Sequence, residues 1–308
     1  MLTIFGSINV DQVIRVPSIP QPGETVVGER VMDAHGGKGA NQAVAAARAS
    51  GGTVPVKMIG ALGDDAYGQS AAQNFALNGV IAECAILPDC ATGTAFITLS
   101  SDGENAITVV PGANNLLDGT HASPETLQNT SVLLCQGEVR LAETGRVISA
   151  YRDARSGGLT ILNLAPVPQD GDVNLLGQIL MACDILIVNE READAVLKRL
   201  TPVGRANLST LAAEFDCHII ITRGPDGAEL IAPAGATVHA PSPNIDPVDT
   251  TGAGDTCCGV FAALLAEGWE MEPALTKACE AAAKACGAVG AQTGMPLRND
   301  LLKELDLA

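Results

Sequence analysis

Short apolar runs alternate along this chain with longer segments whose apolar positions recur at helical spacing. Leu2–Phe5, Val56–Leu62, Val132–Cys135, Thr160–Leu162, Asp184–Val188 and His218–Thr222 are brief, apolar and bounded by Gly, Asn or Asp, the signature of buried strands. Between them, Ala40–Ala49, Ala66–Leu77, Ala142–Ala154, Arg191–Leu200 and Leu208–Phe215 repeat apolar residues with helical period. Such alternation predicts an α/β fold, a mostly parallel sheet with helices on both faces. Sheets of that kind place ligands at the carboxyl ends of their strands.

Two stretches break the pattern. Gln12–Val31 carries Val13, Ile14, Val16, Val26 and Val27 with Pro17, Pro20 and Pro22 among them. Thr92–Val110 reads as a hairpin, Gly93–Leu99 and Ala106–Val110, turning at Asp102-Gly103, a hairpin-turn pair. Both are expected to stand outside the main sheet, so one α/β domain over 1–308 is predicted to carry a small β-lid contributed discontinuously by about 12–34 and 92–110. Lid strands are left part-exposed unless something covers them. The last third is helical by pattern over Ala253–Glu267, Pro273–Val289 and Pro296–Leu307.

Composition narrows the class. With 47% hydrophobic residues over 308 positions the chain can bury a substantial core, yet Phe, Tyr and Trp number only five, two and one. Stacking platforms for single-stranded nucleic acid are therefore not expected. The net charge of −17 repels phosphate backbones and anionic membranes alike. Nine scattered Cys without CxxC or zinc spacing read as thiols of a reducing compartment. The N-terminal MLTIFGSINV is not a signal peptide, and no long apolar run is present, so a cytoplasmic protein without membrane partners is expected.

Chemistry concentrates in Gly-rich turns. Asp249-Thr250-Thr251-Gly252-Ala253-Gly254-Asp255 leads straight into a helix. Glycines at a helix start leave backbone N–H groups pointing outward, where the helix dipole also favours an anion. A carboxylate beside such a site suits the role of proton acceptor for an attacking hydroxyl; Asp255 reads equally well as a helix cap. A dinucleotide fingerprint fits poorly, since its third Gly falls on Cys257. Gly36-Gly37-Lys38-Gly39-Ala40-Asn41 also enters a helix, and is not a Walker loop because Gly39 follows Lys38. Lys38 and Asn41 supply donors for hydroxyls, or the stretch is a plain strand-to-helix turn. After the first strand, Asn9 and Asp11 lie two apart in an extended segment and so point the same way, a pairing suited to a vicinal diol or to a polar turn. Glu192, in Asn189-Glu190-Arg191-Glu192, fits a water-mediated Mg²⁺ contact or, more commonly, a helix cap. Thr222-Arg223-Gly224-Pro225-Asp226-Gly227 lines a nucleotide or makes a hairpin loop.

Taken in order, GSINVD (6–11), PGETV (22–26), GGKGANQAVAAAR (36–48), GDDAYG (63–68), ATGTA (91–95), PGAN (111–114), LNLAP (162–166), NEREAD (189–194), ITRGPDG (221–227) and DTTGAGDT (249–256) resemble the ribokinase family within the PfkB group of sugar kinases. The resemblance runs along nearly the whole chain. It implies a Rossmann-like body with a β-lid that pairs with its twin in a homodimer, and transfer of the γ-phosphate of ATP to the 5-hydroxyl of D-ribose. Relatives in the group act on deoxyribose, sugar acids, fructose or nucleosides, and a non-catalytic sugar- or nucleotide-binding protein would share the fold. By resemblance, Asp255 is the catalytic base and the amides of Gly252, Ala253 and Gly254 form the anion hole. Asn9, Asp11, Gly37, Lys38, Asn41 and Glu138 would hold the sugar, with Ala95 and Ile97 closing over it. Asn189, Thr222, Gly224 and Gly227 would bind ATP, and Glu192 would assist Mg²⁺. A monovalent cation, usually K⁺, would use Asp249, Thr251, Ala285, Ala288 and Gly290. Three departures stand out: Gly294 where the family often has Ser, Cys279 for the more usual Asn or His, and Val139-Arg140 after Glu138.

Overall fold

The computed structural model describes residues 1–102, 104–155, 157–168, 173–200 and 207–302. Its strands are β1 (Leu2–Phe5), β2 (Asn9–Val16), β3 (Glu29–Gly36), β4 (Val56–Gly63), β5 (Val80–Leu87), β6 (Gly93–Ser100), β7 (Asn105–Val110), β8 (Val132–Gln136), β9 (Leu159–Asn163), β10 (Ile185–Asn189), β11 (His218–Thr222), β12 (Ala228–Ile231) and β13 (Thr237–Ala240). Its helices are α1 (Lys38–Ser50), α2 (Ala66–Leu77), α3 (Pro124–Asn129), α4 (Leu141–Ala154), α5 (Val173–Met181), α6 (Glu190–Leu200), α7 (Leu208–Phe215), α8 (Ala253–Ala266), α9 (Met271–Ala285) and α10 (Arg298–Leu302).

A nine-stranded sheet runs in the order β13-β12-β11-β10-β9-β8-β1-β4-β5. From β11 to β5 neighbouring strands are parallel, and β12 and β13 close one edge antiparallel. Parallel strands covered on both faces are apolar throughout, which is why β1 and β8 bury every residue. Two apolar cores result. One packs α1, α2, α8, α9 and Leu301 of α10 on the first face, and the other packs α3 to α7 on the second. The chain lays β4 and β5 on one side of β1, then β8 to β11 on the other. That reversal makes the carboxyl ends of β1 and β8 a topological switch point, where ligands of such sheets bind.

Four further strands form a separate sheet in the order β3-β2-β6-β7. β2 leaves the body immediately after β1, so Asn9 and Asp11 lie on one strand face, as their spacing predicts. The structure differs from the pattern reading in several places. β5, β12 and β13 were not marked by the alternation: β5 is an edge strand with exposed Ile81 and Ile86, so its apolar residues do not follow a buried run. Helix α9 stops at Ala285 rather than Val289, where Gly287 and Gly290 (φ 93°) turn the chain. Helix α10 starts at Arg298. Gly103 of the predicted turn and the end of the predicted Pro296–Leu307 helix lie outside the described residues. No helix among the described residues is long and apolar enough to cross a membrane.

Candidate active site

The carboxyl ends of β1, β8, β9, β10 and β11 lie side by side and present Ser7 and Asn9, Glu138, Asn163, Asn189 and Thr222 along one edge of the body. Helix α8 starts above this edge. Gly252, its N-cap, has φ 78°, a left-handed conformation that glycine adopts without penalty. The Thr256 amide bonds Gly252 O at 2.8 Å, and the Ala253 amide bonds Thr250 O at 3.2 Å. One of the three amides expected in the anion hole is thus engaged internally, in a turn that ties the loop to the helix start. The amides of Gly252 and Gly254 find no acceptor among the described residues.

Asp255 is buried at 7% exposure and its two carboxylate oxygens are both held. Asn41 Nδ2 donates to Oδ2 at 2.9 Å, and Gln42 Nε2 donates to Oδ1 at 3.0 Å. The alternative reading of Asp255 as a helix cap fails, because no side chain caps α8. Asn41 was expected at the sugar; here it bonds Asp255 with its amide nitrogen while its oxygen accepts from Gln292 Nε2 at 2.9 Å. Gln42 was not foreseen as a site residue. It also donates to Asn163 Oδ1 at 3.0 Å and accepts from Gln136 Nε2 at 2.8 Å.

Carboxylates crowd the cleft. Burial pushes Asp11 up to about 6, and Glu138 and Asp255 add to the rise by charge repulsion. The opposite charge of Asp255, together with Glu138 and Glu192, holds the Lys38 ammonium above its ordinary range against the cost of burial. Burial also raises Glu192. Glu138 Oε2 accepts from Ser7 Oγ at 2.6 Å and from the Lys38 amide at 3.0 Å, locking the Gly-rich turn onto β8. Asn9 Oδ1 accepts from Asn114 Nδ2 at 2.8 Å, and Asn114 also bonds Ile8 on both backbone groups; Asn114 is a second positioning group unforeseen from the sequence. Ala95 lies abreast of Asp11 on the neighbouring strand, with Ile97 two places further on the same face.

Two adjoining cavities run from this point. A small one of about 120 Å³ is lined by Lys38, Asn163, Asn189, Glu192, Gly254, Asp255 and others. It shares Thr222 and Gly254 with a larger cavity of about 270 Å³, walled by Gly224 and Gly227, by Ser242–Pro247 and by Cys257, Cys279 and Cys286. The Ser242–Pro247 wall has no element pattern that marks it in the sequence. The Cys257 thiol donates to Cys279, raising the first and lowering the second. Asn189 and Glu192 form a reciprocal cap on α6: the Asn189 amide donates to Glu192 Oε2 at 2.8 Å, and the Glu192 amide to Asn189 Oδ1 at 2.9 Å. The commoner cap reading therefore holds for both, while each still faces the small cavity.

Asp249 binds the amides of Thr251 at 2.9 Å and Gly290 at 2.8 Å. Burial raises its pKa, but these bonds outweigh burial and hold it below the usual carboxylate range. A Cβ on Gly294 would stand 2.1 Å from Ala285 O, so the Ser that the resemblance leads one to expect does not fit here without backbone movement.

A model of the pfkB family of carbohydrate kinases matches residues 1–298. Among curated relatives, ribokinase of Bacillus subtilis is 36% identical over 97% of this chain and 97% of its own. Ribokinase of Mus musculus is 30% identical over 97% and 93% respectively. Among solved structures, ribokinase of Arabidopsis thaliana complexed with ribose and ATP is 30% identical with a TM-score of 0.84, covering 100% of this chain and 99% of its own. Ribokinase from Thermotoga maritima has a TM-score of 0.87 at 29% identity, covering 98% and 97%.

Proposed function

Since the chain belongs to the pfkB family of carbohydrate kinases, we propose that it transfers the γ-phosphate of ATP to the 5-hydroxyl of D-ribose. The observation that carries this reading is the pairing of Asp255 with the open amides of Gly252 and Gly254 where the two cavities meet. The larger cavity takes the nucleoside of ATP, beside Thr222, Gly224 and Gly227. The smaller one takes the terminal phosphates, beside Asn189 and Lys38. The sugar lies over Asn9, Asp11, Gly37, Lys38 and Glu138, below Ala95 and Ile97. Asn41 holds Asp255 and keeps a second N–H for the sugar.

In the reaction, Asp255 takes the proton of the hydroxyl as its oxygen bonds the γ-phosphorus and the bond to the bridging oxygen of ADP breaks. The α8 amides and Lys38 offset charge on the transferring group. Glu192, which faces the small cavity, would hold Mg²⁺ through water, and Mg²⁺ would supply charge neutralisation of the phosphates. Asp249 joins the loop at Thr251 to Gly290, the segments whose backbone oxygens, with those of Ala285 and Ala288, would hold a hard monovalent cation such as K⁺. That cation would steady the anion-hole loop.

The four-stranded sheet is the lid. Ile107 pairs with Ile97 and Val109 with Ala95, so both share the sugar-facing side, yet they are 55% and 50% exposed. A second copy of this chain is proposed to cover them in a homodimer. Ile107→Asp is expected to convert a dimer to monomer in sedimentation and to raise KM for ribose; a monomeric wild type would contradict the pairing.

Asp11 gives a pH test. Its folded value of about 6 lies above the ordinary 3.8, so its contribution to stability is fully present below 3.8 and lost as pH rises through about 6. Asp11→Asn should therefore raise the melting temperature at neutral pH. The same change should raise KM for ribose by about ten- to a hundredfold, the worth of hydrogen bonds to a charged group. In the wild type, ribose affinity should fall as pH drops through about 6. A KM independent of pH across that window would remove Asp11 from the sugar site.

Substrate identity is tested by coupled ADP release across D-ribose, 2-deoxy-D-ribose, D-fructose, a sugar acid and adenosine. The highest kcat/KM is expected for D-ribose, and a clear preference for another acceptor would displace it.

A further inference from the structure

Behind Asp255 runs a chain of hydrogen bonds that begins at a cation on α1. Arg48 Nε donates to Asn78 Oδ1 at 2.7 Å. Asn78 Nδ2 donates to Asn74 Oδ1 at 3.1 Å. Asn74 Nδ2 donates to Gln292 Oε1 at 2.8 Å. Gln292 Nε2 donates to Asn41 Oδ1 at 2.9 Å, and Asn41 Nδ2 reaches Asp255 Oδ2 at 2.9 Å. Every bond points from guanidinium towards carboxylate. The two ends impose that direction: Arg has donors only and an ionised Asp has acceptors only, so each amide between them satisfies both neighbours in one orientation alone. Arg48 Nη1 also donates to the carbonyls of Gln292 at 2.6 Å and Met295 at 3.2 Å. No carboxylate among the described residues pairs with it.

We propose that Arg48, Asn78, Asn74 and Gln292 are positioning residues for the phosphoryl-transfer step: they fix the amide of Asn41 so that it presents N–H, and not C=O, to the carboxylate of Asp255. The inference rests on the reading of Asp255 as the base. The inner two amides, Gln292 and Asn41, are buried, where aligned amides polarise one another, so the last N–H of the relay binds Asp255 more strongly than an isolated amide would. Gln42, oriented by Asn163 and Gln136, holds the other oxygen. The carboxylate plane is thereby set for the incoming hydroxyl without Arg48, Asn78, Asn74 or Gln292 touching substrate.

One substitution reverses the relay. Asn74→Asp keeps the shape of the side chain and its bond from Asn78, but faces Gln292 with an acceptor. Gln292 must then turn its nitrogen to residue 74 and its oxygen to Asn41, and Asn41 in turn presents its oxygen to Asp255. Asn74→Leu only cuts the relay and leaves the Asn41–Asp255 bond possible. The expected order of kcat is wild type, then Asn74→Leu, then Asn74→Asp. The last should fall about ten- to a hundredfold, the span of one hydrogen bond to a charged group. KM for ATP should change much less, because the lost interaction acts in the transition state; KM for ribose should rise only in Asn74→Asp, where the turned Asn41 no longer offers its second N–H to the sugar. A packing role gives the opposite order, since leucine forfeits every bond that aspartate retains. Should Asn74→Asp fail to fold, Gln292→Met cuts the relay one step nearer and should lower kcat with little change in KM. Wild-type kcat in folded Asn74→Asp or Gln292→Met overturns the relay. The parent reading fails separately, by turnover surviving in Asp255→Asn.

Discussion

Asp255→Asn should lower kcat by roughly 10²–10⁴-fold, the contribution of a positioned general base, with little change in the dissociation constant for ribose. The amide occupies the same volume, and its oxygen can still accept from Asn41 or Gln42, which now bond Asp255 at 2.9 and 3.0 Å. What disappears is the lone pair that receives the hydroxyl proton. Steady-state kinetics together with calorimetric titration of ribose separates the two quantities. A variant that binds ribose normally and turns over near the wild-type rate would take the base assignment away from Asp255.

Gly252→Ala should damage both rate and fold. At φ 78° a Cβ would meet Ala291 O at 2.5 Å, and the left-handed conformation adds about 1–2 kcal/mol of its own. Relief requires the loop to move, and the loop carries the amides. A fall in kcat of about 10²–10³-fold, typical for loss of an oxyanion-type donor, should accompany a lower melting temperature. Gly254→Ala is the informative contrast. Nothing lies within 4 Å of a Cβ there, and the residue is already helical. That variant should keep its melting temperature yet lose rate, because the methyl group projects into the space shared by the two cavities. If Gly252→Ala melts and turns over like wild type, the loop geometry is not what the reaction needs.

Much of this arrangement is readable from the chain because strand and helix signals are local. β1, β8 and β10 are apolar runs whose neighbours on both sides are parallel strands, β11 is an apolar run between parallel β10 and antiparallel β12, and burial on both faces leaves a plain mark. The Gly-rich turns at Gly36 and Gly252 are visible for the same reason: a helix start follows each within two residues. Asn9 and Asp11 are legible through strand periodicity. The groups that position the site are not local. Asn114 reaches Asn9 across 105 positions, Gln42 reaches Asp255 across 213, and Gln292 reaches Asn41 across 251. An isolated Asn or Gln has no pattern that distinguishes a buried, oriented amide from a solvated one, so only the fold discloses them. Asn41 shows the same limit from the other side. Its place in the Gly-rich turn marks it as polar and functional, but its partner is the carboxylate on α8.

The edges of the fold were harder to read for a different reason. β5 leaves Ile81, Ala82 and Ile86 exposed and breaks its apolar run with Glu83, and β12 and β13 are short antiparallel strands of four residues each. Neither bears the continuous apolar run of a central parallel strand. The end of α9 is set by the turn through Gly287 and Gly290 rather than by any loss of helical residues, since Val289 would have continued the pattern.

The most direct test of phosphoryl transfer across Asp255 is phosphorus NMR of the product formed from ATP and D-ribose. The sugar phosphate should appear in step with ADP, its signal split by the two protons of the primary carbon. Free phosphate rising with ADP, or a signal coupled to the single anomeric proton, would contradict the account.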